Sequence, residues 1–200
     1  KSSTANNHFR LATYWYFKCE DNLFHLQHEF QISVQMKKIV IIYGSSTGTT
    51  QAVAEAIASR LGVKDVFDAA TITKGQVEPY DVLILGTSTW GDGELQDDWY
   101  EGVKVLKSAS LAGKDVAFFG CGDSMAYSDT FCNGMHLLKE ELEGTGCNFI
   151  GGISADGYTF SDSTSVENGE FIGAAIDESN ESDKTGERID NWLASFSDRL

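Results

Sequence analysis

Three runs of this chain, "KIVIIYG" at 38–44, "DVLILGT" at 81–87 and "DVAFFGC" at 115–121, are apolar at successive positions rather than alternate ones. A strand of that kind has to be covered on both faces, which a parallel sheet achieves by carrying helices front and back. The intervening segments have the matching helical period. Val53, Ala56, Ile57 and Leu61 share one face, as do Trp99, Val103 and Leu106, then Met135, Leu138 and Leu142, and last Ile189, Trp192, Leu193 and Phe196. Two further strands are expected, one at "VKDVFDA" (63–69) and one in two pieces, "NFIGGI" (148–153) and "FIGAAI" (171–176). The fold class is α/β, a doubly wound five-stranded parallel sheet with helices on both faces. The 200 residues suit one such domain and are too few for two large ones.

In such sheets ligands bind beyond the carboxyl ends of the strands, at the switch point, so chemistry is to be sought in the loops after Tyr43, Thr87 and Cys121. The first loop, "GSSTGTT", packs Ser45, Ser46, Thr47, Thr49 and Thr50 around Gly48 just before a helix. A helix N-terminus offers unpaired amides and a partial positive charge, and Gly48 lets the chain turn so that they converge on an anion. The loop lacks the Gly-Lys-Ser/Thr ending of a Walker A motif and the G-x-G-x-x-G spacing of a dinucleotide site, and no Lys or Arg occurs between Lys38 and Arg60. Neutral donors suit a terminal monophosphate tethered to something else that is tightly bound; the same residues also suit an ordinary hydroxyl-rich helix cap.

The second loop, "TSTWGDGELQDDW", sets Trp90 three residues past the expected strand end, on a turn with Gly91 and Gly93. An indole on a flexible turn beside an anion site reads as a platform for a flat ligand. The third, "GCGDSMAYSDTF", places Tyr127 six residues past Cys121. Alone it is a surface turn tyrosine; with Trp90 it offers a second aromatic face. A phosphate site of neutral donors beside two aromatics fits flavin mononucleotide.

Residues 37–200 resemble a flavodoxin of the long-chain type. The resemblance is carried by "SSTGTT", "TSTWGDGELQDDW", "CGDSMAYSDTF" and "DGYTF...ENGEFIGAAIDESNESDKTGERIDNW". It implies strand order 2-1-3-4-5 and FMN as cofactor. It implies that Ser45, Thr47 and Thr50, with the backbone of Ser46, Gly48 and Thr49, hold the phosphate. Trp90 and Tyr127 would stack on the flavin ring, Thr87, Ser88 and Thr89 would line the ribityl and ring edge, and Cys121, Gly122 and Asp123 would touch the pyrimidine end. After the tryptophan, a peptide of Gly91 in the turn with Asp92 and Gly93 would rotate so that its carbonyl accepts a hydrogen bond from the one-electron-reduced flavin, stabilising a neutral semiquinone. The polar insertion at about 155–170 would dock partners rather than bind FMN.

The net charge of −15 lies wholly in 36–200, because Lys1, Arg10 and Lys18 balance Glu20, Asp21 and Glu29 in the first 35 residues. So acidic a domain repels nucleic acid and anionic membranes and attracts basic-faced proteins. Asp92, Glu94, Asp97, Asp98, Asp123 and Asp129 are the carboxylates expected near the flavin. One of them about 10 Å from an anionic reduced flavin, at an effective dielectric of about 20, raises its energy by roughly 1.7 kcal/mol. That corresponds to about 70 mV, so a strongly reducing couple is expected.

The expected function is a low-potential one-electron carrier, without turnover of its own, that shuttles between a flavodoxin/ferredoxin reductase and a downstream acceptor. No nucleic acid partner and no membrane insertion are expected, and the carrier is expected to be monomeric and cytoplasmic. The alternative is a flavodoxin-like NAD(P)H/quinone oxidoreductase, for which no segment is left to build a nicotinamide site. A receiver-type signalling domain would need an acidic cluster where "GSSTGTT" stands. The cysteines Cys19, Cys121, Cys132 and Cys147 form no C-x-x-C pair and read as reduced thiols, and His136 reads as a structural helix residue. Residues 1–35 differ in character and read as an N-terminal extension, tag-like or a misread upstream segment before Met36; as a transit remnant they would point to a plastid.

Overall fold

The computed structural model describes residues 37–200, so the expectations for the N-terminal extension 1–35 lie outside the described residues. The main sheet contains β1 (Ile39–Tyr43), β2 (Val66–Asp68), β3 (Val82–Trp90), β5 (Asp115–Cys121), β6 (Asn148–Ile150) and β10 (Gly173–Ile176), with β4 (Glu94–Leu95) hairpinned onto the end of β3. The order across the sheet is β2-β1-β3-β5-β10, all parallel, which is the expected 2-1-3-4-5 arrangement. The last position is shared: β6 pairs with the first half of β5, Asp115 to Ala117, and β10 with the second half, Phe118 to Cys121.

Each strand feeds both faces, as its unbroken apolar run requires. Ile41, Val82, Ile84, Ala117 and Phe119 pack under α1 (Thr49–Leu61) and α4 (Thr185–Ser195), while Val40, Ile42, Leu83, Leu85, Val116 and Phe118 pack under α2 (Trp99–Ser108) and α3 (Gly134–Leu142). The fully buried Trp99 and Trp192 anchor one face each, and each indole N–H finds a backbone carbonyl, Gly86 and Gly151, both at 3.0 Å. Burying side chains of this size stabilises by about 1.5–3 kcal/mol apiece.

Three expectations are corrected. The strand expected at 81–87 runs on to Trp90, because Thr89 and Trp90 pair antiparallel with Leu95 and Glu94. The strand expected at 63–69 shrinks to Val66–Asp68, an edge piece whose residues are only half-buried. The strand pieces expected at 148–153 and 171–176 shorten, because Ile153 and Phe171 leave the main sheet: β7 (Ile153–Ser154), β8 (Val166–Glu167) and β9 (Glu170–Phe171) form a small antiparallel sheet, with Asn168 and Gly169 in left-handed conformations at its tight turn.

Candidate functional site

The loops after β1, β3 and β5 emerge side by side because those strands are neighbours in the sheet. Gly48, at φ 90°, turns the first loop into α1 without any side-chain cap, so the first-turn amides of the helix face outward unclaimed by a side chain. The serines and threonines divide the work unequally. Ser45 Oγ accepts from the Gly48 amide at 3.1 Å and shapes the turn, whereas Thr47 and Ser46 are exposed and Thr49 lies 3.4 Å from Thr47 between hydroxyl oxygens. Thr50 is buried, and burial pushes the neighbouring Cys121 thiol up to about 12 against the lowering influence of the Thr50 hydroxyl. Cys121 therefore stays a neutral thiol and offers the site its backbone.

Trp90 stands at the end of the β3–β4 hairpin, 43% exposed, with its indole N–H donating to Ser88 Oγ at 2.9 Å. That bond and the strand pairing hold the ring where a flexible turn would not. Thr87 is buried and its hydroxyl donates to the Ser88 carbonyl, while Thr89 Oγ1 accepts from the Gly134 amide at the start of α3. Gly91 follows with φ 52°, a backbone conformation costly for other residues, and a Cβ there would lie 2.5 Å from a Glu94 carboxylate oxygen. Asp92 and Gly93 complete the turn, Asp92 exposed.

In the third loop Tyr127 is 55% exposed. Asp123 does not project freely into the site: its Oδ1 accepts from the amides of Met125 and Ala126 and from Asn180 Nδ2. The Ala126 amide above all, then Asn180, holds its carboxyl below the usual range. Gly122 receives backbone anchoring from the Ile176 carbonyl at 3.0 Å, and Asp129 is exposed.

Several residues of this region escape sequence reasoning. Gln96, almost fully buried, donates to Ser46 Oγ and to Asp98 Oδ2 and so ties the second loop to the first. Asp177, at zero exposure just past β10, accepts from the Ser124 amide and hydroxyl and from Asn180, fastening the third loop to a fourth. The signal was present: Asp177 and Asn180 lie beyond the carboxyl end of the last strand, where the switch-point rule also points. Among the described residues no group of three His, Cys, Asp or Glu side chains is placed to hold a metal ion.

The flavodoxin family profile matches residues 41–192. The flavodoxin of Synechococcus elongatus is 41% identical over 162 residues, which span 80% of this chain and 95% of that protein. Flavodoxin 1 of Escherichia coli is 37% identical over 163 residues, 80% of this chain and 93% of its own. Among solved structures, Fusobacterium nucleatum flavodoxin bound to flavin mononucleotide superposes with a TM-score of 0.76 at 32% identity, covering 82% of this chain and 99% of that one. With a 2-1-3-4-5 sheet and a family match over three quarters of its length, this chain belongs to the flavodoxin family.

Proposed function

We propose that this protein is a one-electron carrier that holds FMN non-covalently and passes electrons between a reductase and an acceptor protein. Flavodoxins are electron-transfer proteins rather than enzymes, and the oxidoreductase alternative is not favoured. The observation that carries the reading is the pairing of an uncapped helix N-terminus at Gly48 with two exposed aromatics, Trp90 and Tyr127, on neighbouring loops. That donor set fits a ligand with a terminal phosphate and a flat ring.

Ser45, Thr47 and Thr50, with the amides from Ser46 to Thr50, would hold the phosphate by neutral donors and the α1 dipole. Trp90 and Tyr127 would cover the ring and exclude water from it; π faces favour a neutral ring over an electron-rich one. What FMN supplies when bound is reversible one-electron redox chemistry at low potential, which no side chain in the three loops offers. The Gly91 carbonyl would accept a hydrogen bond from a protonated ring nitrogen, and the surrounding carboxylates would disfavour added negative charge.

For partners we favour proteins presenting a basic face, recognised by a domain in which all of the net charge of −15 lies after residue 35. We place the carrier as a monomer in the cytoplasm; no helix of the described residues is long and apolar enough to cross a membrane. The test is the visible spectrum of the purified protein, with release of cofactor and anaerobic reductive titration. A yellow protein releasing one FMN per chain is expected. A colourless protein that takes up no added FMN would sink the proposal.

A further inference from the structure

Asp177 is a carboxylate at zero exposure whose hydrogen-bond partners are all neutral. Its Oδ2 accepts from the Ser124 amide at 3.1 Å and the Ser124 hydroxyl at 2.5 Å, and its Oδ1 from the Asn180 amide and Nδ2, both at 3.0 Å. A buried charge persists only where such donors meet it. Burial works to raise the pKa of this group, but the bonds from Ser124 and Asn180 outweigh it and keep the carboxyl ionised at neutral pH. The donors come from two loops, the one after β5 and the one after β10.

The backbone that leads to Tyr127 hangs on this group. The Gly122 amide donates to the carbonyl of Ile176, directly before Asp177, at 3.0 Å, and Ser124 is held by Asp177 itself. Asp123, between them, accepts from the Met125 and Ala126 amides and from Asn180 Nδ2 at 2.8 Å, while its carbonyl accepts from the Tyr127 amide at 2.9 Å. The one Asn180 Nδ2 thus spans two carboxylates, Asp123 and Asp177, that would repel each other without it. Tyr127, being more than half exposed, takes its orientation from this backbone rather than from packing.

We infer that Asp177 is a positioning residue for Tyr127, acting through Ser124 and, by way of Asn180, through Asp123. The inference rests on the flavin site proposed above and gives the loop after β10 a part in it. A loop held in its binding conformation for only part of the time raises the apparent Kd in inverse proportion to that fraction. The acceptor matters as a carboxylate, because an asparagine at 177 would turn an N–H-bearing nitrogen toward donors that need an acceptor.

The test measures Kd for FMN and for riboflavin, and residual flavin fluorescence, in D177N, S124A, N180A, Y127A and S124A combined with Y127A, with urea midpoints in parallel. S124A keeps the charge at 177 and removes one bond to it; it is expected to raise both Kd values about fivefold and to brighten the bound flavin. Equal penalties for FMN and riboflavin locate the effect at the ring rather than the phosphate, and the penalty is expected to vanish in the Y127A background. A purely structural role would lower the urea midpoint and leave both Kd values where they were, which overturns the inference. A penalty of equal size with Tyr127 absent, or one confined to FMN, overturns it too. Asp177 is fully buried, and should D177N not fold, S124A and N180A carry the same comparison. Wild-type protein that takes up no FMN overturns both readings, whereas normal wild-type uptake with unaltered variants overturns this one alone.

Discussion

The side-chain amide of Gln96 lies 3.2 Å from the hydroxyl of Ser46, so the loop that carries Trp90 is bonded directly to the loop that turns at Gly48. The same amide donates to Asp98 Oδ2 at 2.7 Å, and the Asp98 amide returns a bond to Gln96 Oε1 at 3.0 Å. The proposed ring site and the proposed phosphate site are thus one mechanical unit. Gln96→Ala removes these partly buried hydrogen bonds, at about 0.5–1.5 kcal/mol apiece. The expected outcome is a lower urea midpoint together with weaker affinity for both FMN and riboflavin. Loss confined to FMN would mean the two loops are independent.

Thr47 is exposed and sits in the loop that turns at Gly48. Its replacement by alanine removes one neutral donor to a phosphate, worth about 1 kcal/mol. FMN affinity should fall roughly fivefold while riboflavin, which has no phosphate, binds as before. Equal loss for both ligands would show that Thr47 acts on the ring instead.

Gly91 combines φ 52° with a Glu94 carboxylate at 2.5 Å from the place a Cβ would take. Gly91→Ala adds about 1–2 kcal/mol of backbone strain to this turn. During anaerobic reductive titration the long-wavelength absorbance at half reduction should be clearly diminished. An unchanged maximum would mean that rotation about this peptide plays no part in stabilising the intermediate stage.

Asp115 holds the two ends of the described chain, with Lys37 Nζ at 2.7 Å, Arg199 Nη2 at 2.5 Å and Asn148 Nδ2 at 3.2 Å. Burial works to raise its pKa, but the bonds from Lys37, Asn148 and Arg199 outweigh it and hold the carboxyl below the usual 3.8. A folded-state pKa below the unfolded value means stability that is complete above the unfolded pKa and is lost as pH falls through the lowered folded one. Asp115→Asn should therefore cost about 1–3 kcal/mol at pH 7. That gap should narrow steadily below about pH 4, as the unfolded carboxylate is protonated. Urea midpoints at neutral and acid pH measure it, and a gap independent of pH would assign the loss to packing.

The sheet was legible because its strands are apolar at consecutive positions, a pattern that local sequence alone determines. Ile41 and Ile42 point to opposite cores, and a sheet covered on both faces buries both. Trp90 was misplaced onto a turn because its strand is made by the tight hairpin that pairs it with Glu94, and such a pairing leaves no periodic signature in "TSTW". Asn168-Gly169 was a readable hairpin turn within "VENGEF", and the small sheet it closes was hidden by the polarity of its flanks. Gln96, Asp177 and Asn180 act through partners distant in sequence or across loops, so their residue types alone announce nothing.

The last position of the sheet is filled by two short pieces, Asn148–Ile150 and Gly173–Ile176, and the opposite border by the three residues Val66–Asp68. A border of that kind offers a second chain no long row of open amides and carbonyls on which to lay a strand. The interruption that admits the insertion therefore also keeps an acidic, crowded carrier from growing sheet upon sheet. A variant that deleted the insertion and rejoined these pieces into one strand would present the longer free border that the natural chain avoids.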